Sequence, residues 1–161
     1  MKTLYLVRHA KSSWEYDVID HQRPLNERGL SDAPLIAAHV AGLIETPDLF
    51  MSSDAVRALT TANFYAKAFG VPTEDIRLNH DLYDFDGRQL VREVKKLPNA
   101  HDRVMVFGHN HAMTFFVNEF GSKPIGNVPT AAFTAIQFDI DDWENLNKGT
   151  TLHHIAPKQL K

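Results

Sequence analysis

Two apolar runs constrain this chain more than anything else in it. Leu4-Tyr5-Leu6-Val7 leads into Arg8-His9, and Val104-Met105-Val106-Phe107 leads into Gly108-His109. Neither run alternates with polar residues, as a strand with one wet face would. Continuous apolar strands of this kind belong to a sheet covered on both faces. Each run also ends on a histidine. In an open parallel sheet, ligand sites form outside the carboxyl ends of the strands. Both histidines can therefore open onto one crevice.

The rest of the chain supplies the covering layers. Residues 3–8 read as the first strand and residues 11–28, polar and interrupted by Pro24, as a loop. From Gly29 to about Leu43 the apolar residues fall at helical spacing, with Pro34 in the first turn, where its missing N–H costs little. Asp48–Ser52 reads as a short strand. Ser53 or Asp54 is expected to cap a helix that reaches Phe69 and stops at Gly70 and Pro72. Ile76–Leu78 reads as a short strand, Asp86–Leu97 as a helix closed by Pro98, and Ala112–Phe120 as the helix after the 103–108 strand. Thr134–Ile140 and Thr150–Ile155 suggest a final antiparallel pair, with a turn near Asn147-Lys148-Gly149. Strands alternating with helices predict an α/β fold, a three-layer α/β/α sandwich on a mostly parallel mixed sheet. No repeat or linker divides the chain, so residues 1–161 are expected to form a single domain.

Composition narrows the functions open to it. An apolar fraction of 43% and a charged fraction of 23% are those of a soluble globular protein. The net charge is −3 with no basic stripe, which argues against nucleic acid as a partner. No stretch approaches a membrane span, and the first residues do not form a signal peptide, so the expectation is a cytoplasmic protein with no membrane partner. With no cysteine, disulfides, cysteine-based zinc sites and cysteine-dependent phosphatase chemistry are all excluded.

Arg8, His9, Arg57 and His109 carry the chemistry. Arg57 falls in the first turn of the helix after the second strand, where it can point back over the carboxyl edge of the sheet. An imidazole can attack phosphorus, and guanidinium groups can hold the phosphoryl oxygens. A phosphoryl group carries about two negative charges near neutral pH and spreads charge over three oxygens during transfer. Two arginines and a second histidine can stabilise that charge without a metal or another cofactor.

These residues also carry a resemblance. Arg8-His9-Ala10-Lys11-Ser12 resembles the Arg-His-Gly signature of the histidine phosphatase (phosphoglycerate mutase-like) superfamily. Arg23-Pro24-Leu25-Asn26-Glu27-Arg28-Gly29 resembles its second motif, Ser52-Ser53 through Arg57 to Thr61-Ala62 its third, and Gly108-His109-Asn110 its fourth. The continuation Ala10-Lys11-Ser12 and the small size are most similar to bacterial phosphohistidine phosphatases of the SixA type. The resemblance implies a phosphoglycerate mutase-like fold, His9 as nucleophile, and Arg8, Arg57 and His109 binding the phosphoryl group. It implies a metal-independent phosphatase acting on phosphohistidine in a protein, or alternatively on a small phosphomonoester. Ser12 and Asn110 are further candidates for binding substrate.

The chain departs from the family pattern in places. Glu15 follows Trp14 where mutase-like members carry asparagine, and a carboxylate there would repel a phosphorylated sugar acid. His111 replaces the usual proline after Gly108-His109-Asn110. The family's acid is a glutamate after a leucine; here Leu82-Tyr83-Asp84 offers Asp84, which is either that acid or a helix N-terminal cap. Asp84-Phe85-Asp86-Gly87 also looks like the nucleophile motif of magnesium-dependent aspartyl phosphatases, but the residues before it are too polar for a buried strand and Arg88 stands where threonine is expected. A non-catalytic binder of phosphorylated ligands is the remaining alternative, and it would have no need of His9. His109-Asn110-His111 lacks an acidic partner at metal-binding spacing. His21, His39, His80 and His101 read as surface residues, and His153-His154 as a solvated edge.

Overall fold

The computed structural model describes residues 1–161. Its six strands form one mixed sheet: β1 (Lys2–Arg8), β2 (Leu49–Ser52), β3 (Arg77–Leu78), β4 (Arg103–Gly108), β5 (Phe133–Phe138) and β6 (Thr150–Ile155), in the order β3-β2-β4-β1-β5-β6. The neighbours β3, β2, β4 and β1 run parallel, while β5 is antiparallel to both β1 and β6. Four helices cover the sheet: α1 (Glu27–Ala41), α2 (Val56–Phe69), α3 (Arg88–Lys95) and α4 (Ala112–Phe120). This is the expected α/β/α sandwich.

Strand geometry splits the core in two. Side chains alternate across a strand, so Leu4 and Leu6 of β1 join Val104 and Val106 of β4 on one face, packed with α3 and α4 through Leu90, Val94, Met113 and Phe116. Tyr5 and Val7 join Met105 and Phe107 on the other face, packed with α1 and α2 through Ile36, Val40, Ala62 and Tyr65. The middles of the central strands, Leu4–Val7 and Val104–Phe107, are apolar because both of their faces are dry.

Local chemistry sets the helix ends, and it moves several expected boundaries. Helix α1 begins at Glu27 rather than Gly29, because the Asn26 side chain accepts the N–H of Gly29 and caps the helix. Helix α2 stops at Gly70, whose φ of 71° is left-handed. Its start differs from expectation: Ala55 is the cap position, and the Ser53 hydroxyl accepts the Ala55 N–H from outside the helix. Helix α3 is shorter than the expected 86–97. Strands β5 and β6 pair antiparallel as predicted, but no tight turn joins them. Residues 139–149 instead fold inward through a single 3-10 turn, Trp143–Asn145, which buries Trp143 completely. The indole N–H finds the carbonyl of His101, and the ring adds to the core beneath α3.

The second sequence motif has a structural explanation. Asn26 N–H donates to the carbonyl of Lys11, and Leu25 bridges to Ser12. A Cβ on Gly29 would lie 2.1 Å from the Lys11 carbonyl oxygen. Glycine is therefore required where α1 presses on the backbone just beyond His9. The motif serves to hold the loop 9–13 in place.

Candidate active site

The parallel pairing of β1 and β4 brings the two histidines together. The backbone N–H of His9 donates to the carbonyl of Gly108, and the two imidazole centroids are 5.3 Å apart. Loop 9–13 is also tied to α2, since the Ala10 N–H donates to the Thr61 hydroxyl, which donates to the carbonyl of Arg57. Thr61 lies one helical turn after Arg57, so that turn fixes both the guanidinium and the loop it faces.

His9 is held as a neutral, directed base. Its Nδ1 lies 2.7 Å from the carbonyl of Ala10, which can only accept, so Nδ1 carries the proton and Nε2 keeps its lone pair. Burial lowers the imidazole pKa to about 3; the Ala10 hydrogen bond works against this, and Arg57, Arg8 and Arg23 reinforce it. The Arg57 Nε–H approaches His9 Nε2 at 3.4 Å. Burial, with His9 and Arg57 nearby, also pushes the His109 pKa far below that of a free imidazole. His109 Nε2 is 2.8 Å from the Ser53 hydroxyl, while the Tyr83 and Phe85 rings pack against the imidazole at 5.3 and 5.2 Å. Its Nδ1 is buried without a partner, as is Nε of Arg8.

A pocket of about 240 Å³ opens over this group, lined by Arg8, His9, Ser12, Arg23, Arg57 and Asn110 among others. Two larger hollows elsewhere on the surface contain none of these residues. The structure thus gathers Arg8, His9, Arg57 and Ser12 in one pocket, with His109 directly against His9. Ser12 does not stand free: its hydroxyl accepts from Arg23 at 2.6 Å. Asn110 lines the pocket but turns its side chain toward α4, where it accepts from Thr114 and donates to Asn127.

Asp20 is the feature that sequence reasoning missed. Its carboxylate accepts from Arg57 at 2.9 Å, from Arg23 at 2.9 Å and from the Tyr83 hydroxyl at 2.5 Å, while its backbone carbonyl accepts from Arg57 at 2.7 Å. Burial pushes its carboxyl pKa up, but the hydrogen bonds from Tyr83, Arg23 and Arg57 outweigh that and hold it well below the usual carboxylate range. Asp20 is therefore a permanent anion lying across two arginines. Nothing in the polar 11–28 segment marks it out. Arg23 was visible as the first residue of the second motif.

Asp84 is placed as a cap. Its Oδ2 accepts the N–H groups of Gly87 and Leu90, and its Oδ1 lies 3.4 Å from the N–H of Asp86. Both oxygens act as acceptors, which suits the start of α3 and not a proton donor. The aspartyl-phosphatase alternative fails on the same geometry, because Asp84 follows a single 3-10 turn, His80–Leu82, rather than a buried strand. Asp84→Asn keeps a capping oxygen and is expected to cost less stability than the roughly 1 kcal/mol of Asp84→Ala. It should change turnover by less than about threefold, equally for alkyl, aryl and phosphoramidate substrates. A loss of about a hundredfold confined to alkyl phosphates, the scale of general acid catalysis, would restore Asp84 as the acid.

Comparison with known proteins identifies the family. The family model of the histidine phosphatase superfamily, branch 1, matches residues 4–88, a stretch that includes Arg8, His9 and Arg57. The chain belongs to this superfamily. A chloroplastic protein of Arabidopsis thaliana is 43% identical over 119 residues, covering 68% of this chain and 54% of that protein. A Mycobacterium tuberculosis protein is 27% identical over 103 residues, covering 64% of this chain and 62% of the relative. The chain thus spans between half and two thirds of the length of these relatives. Among solved structures, one from Agrobacterium tumefaciens assigned to the phosphohistidine phosphatase SixA is 25% identical, with a TM-score of 0.81 over 97% of this chain and 98% of that one. The protein histidine phosphatase SixA complexed with tungstate shares the fold at 21% identity, with a TM-score of 0.83 over 99% of both chains. No helix of this chain is long and apolar enough to cross a membrane.

Proposed function

We propose that this chain is a metal-independent phosphatase that works through a phospho-His9 intermediate, and that its substrate is phosphohistidine in a protein. The observation that carries the reading is the state of His9: neutral, with Nδ1–H fixed on a carbonyl and the Nε2 lone pair accepting only a long hydrogen bond from Arg57 Nε. In the first step Nε2 bonds to phosphorus as the bond from phosphorus to the substrate's imidazole nitrogen breaks, and that imidazole, already protonated by solvent on its other ring nitrogen, departs neutral. In the second, water attacks phosphorus, the bond to Nε2 breaks, and inorganic phosphate is released. Arg8, Arg57 and His109 stabilise the equatorial oxygens in both steps. Buried polar atoms are normally paired, so the unpartnered Arg8 Nε and His109 Nδ1 support an acceptor oxygen between them.

Two features favour phosphohistidine over an alkyl ester. A departing alkoxide needs a proton donor, whereas imidazole leaves as a neutral group once it is protonated near its own pKa of about 6.5. With Asp84 used as a cap and Asp20 held as an anion, the pocket offers no carboxylic acid for that work. The pocket is also small, and exposed Trp14 and Phe85 stand on its rim, where a protein surface can approach. A small phosphomonoester is the second reading. It is supported by the fold shared with mycobacterial glucosyl-3-phosphoglycerate phosphatase, which matches with a TM-score of 0.63 at 19% identity.

A substrate panel of phosphohistidine protein, sugar phosphates and nucleotides tests the choice. Turnover is expected to be fastest on phosphohistidine, and faster turnover of a sugar phosphate would favour the second reading. The same assay should show activity surviving EDTA and inhibited by vanadate, which mimics five-coordinate phosphorus. Loss in EDTA with recovery in magnesium would overturn the covalent-histidine mechanism.

A further inference from the structure

His21, Asp54 and His80 come from three separate segments and converge on one point. His21 Nε2 is 2.8 Å from Oδ1 of Asp54, and His80 Nδ1 is 3.0 Å from both carboxylate oxygens. One ligand atom from each residue can be chosen so that all three lie within 4.8 Å of one another. The two histidines are therefore not the isolated surface residues the sequence suggested. The phosphoryl-transfer steps use none of the three.

We propose that His21, Asp54 and His80 form a binding site for a first-row divalent cation, zinc foremost, next to Asp20, which lines the active-site pocket. Two imidazoles and a carboxylate are the donor set of zinc rather than of magnesium or calcium, which prefer oxygen alone. Ligand atoms around tetrahedral zinc, with bonds of about 2.0–2.1 Å, sit roughly 3.3 Å apart. The two imidazole-to-carboxylate spacings of 2.8 and 3.0 Å need a small outward shift, and the two imidazole nitrogens, which lie within 4.8 Å of each other, must settle at about the same separation. The fourth position is left to water, since the His80 side chain is 70% exposed and the site opens to solvent on that side.

The ligands are already oriented. The His21 ring meets Tyr83 edge-on at 5.0 Å and 84°, and His80 packs beside the same tyrosine at 5.8 Å. The Gln22 side-chain amide lies 3.0 Å from His21 Nδ1. When Nε2 binds a metal, Nδ1 carries the proton, and the amide oxygen of Gln22 is placed to accept it once the amide is flipped. Without a metal, each imidazole nitrogen facing the Asp54 carboxylate carries a proton, and a cation replaces both. Its effect would be mechanical. His21 adjoins Asp20, Asp54 precedes α2 with Arg57, and His80 precedes Tyr83, so one ion would clamp the three segments that meet at Asp20.

Calorimetric titration of zinc chloride into the EDTA-treated, dialysed full chain tests this. One zinc per chain is expected. His80→Ala and Asp54→Asn should each weaken binding by about tenfold or more, while His39→Ala, an exposed position on α1, should leave it unchanged. His80 is exposed enough that its loss should not unfold the chain, and a thermal melt checks this. No binding by the wild-type chain would overturn the proposal, as would binding that persists undiminished in both variants. Because the readout is binding, failure here leaves the phosphatase reading intact, and failure of that reading leaves the metal site intact.

Discussion

His9→Ala is expected to abolish the covalent intermediate and to lower turnover by at least about a thousandfold, the scale for removing a residue on which the chemistry depends. Wild-type protein quenched in alkali during turnover should carry phosphate on His9, since phosphohistidine survives base, and the variant should carry none. Label on an aspartate would instead refute the assignment. The same variant gives a second, independent readout. The His9 pKa is about 3 in the folded protein and about 6.5 when unfolded, so between these values the unfolded chain binds the extra proton. Stability from His9 is thus fully present above about pH 6.5 and is lost as pH falls toward 3. Removing His9 should flatten the acid limb of a stability profile while leaving its neutral plateau comparatively unaffected.

Arg57→Ala is expected to produce the second-largest loss, about a hundred- to a thousandfold in kcat/KM, by removing a guanidinium from the phosphoryl oxygens. Part of the loss has another origin. Arg57 is only 2% exposed and holds both the carboxylate and the carbonyl of Asp20. Its removal leaves that carboxylate to Arg23 and Tyr83 alone. Arg57→Lys keeps the charge but not the planar fork, and should recover stability more fully than rate. Equal rates for wild type and Arg57→Ala would remove Arg57 from the mechanism. A variant that no longer melts cooperatively would shift the test to Arg57→Lys.

Those two residues were legible because each is tied to a strong local signal. His9 ends a strand too apolar to lie anywhere but the centre of the sheet, and Arg57 sits one turn before a threonine in a helix whose C-terminus glycine marks clearly. His109 was visible for the same reason as His9. What escaped depends on segments that meet only after folding. Asp20 lies in a polar stretch with no periodicity, and its partners are three, thirty-seven and sixty-three residues away. The cluster of His21, Asp54 and His80 is equally scattered. Trp143 was missed for a different reason: two strands with a glycine between them suggest a tight turn, and nothing local shows that the connection must instead fill a space under α3. Asp84 was ambiguous because one residue type serves both as a cap and as an acid. The backbone donors around it favour the cap, and these are invisible without coordinates.

The carboxylate lying across Arg23 and Arg57 makes every incoming anion a competitor. A tethered group has a fixed effective concentration at its own site, so whatever binds there must first displace a ligand that never diffuses away. The discount applies equally to substrate, to inorganic phosphate and to sulfate. An anion that brings only its charge gains little, because Asp20 already satisfies the arginines. A phosphoryl group that also contacts His9, Arg8 and His109 has something the carboxylate does not provide. Free phosphate, having lost the remainder of the substrate, is then the species most easily expelled as Asp20 returns. If phosphate binds here as proposed, the internal anion would speed product release and keep the pocket from saturating in a phosphate-rich solution.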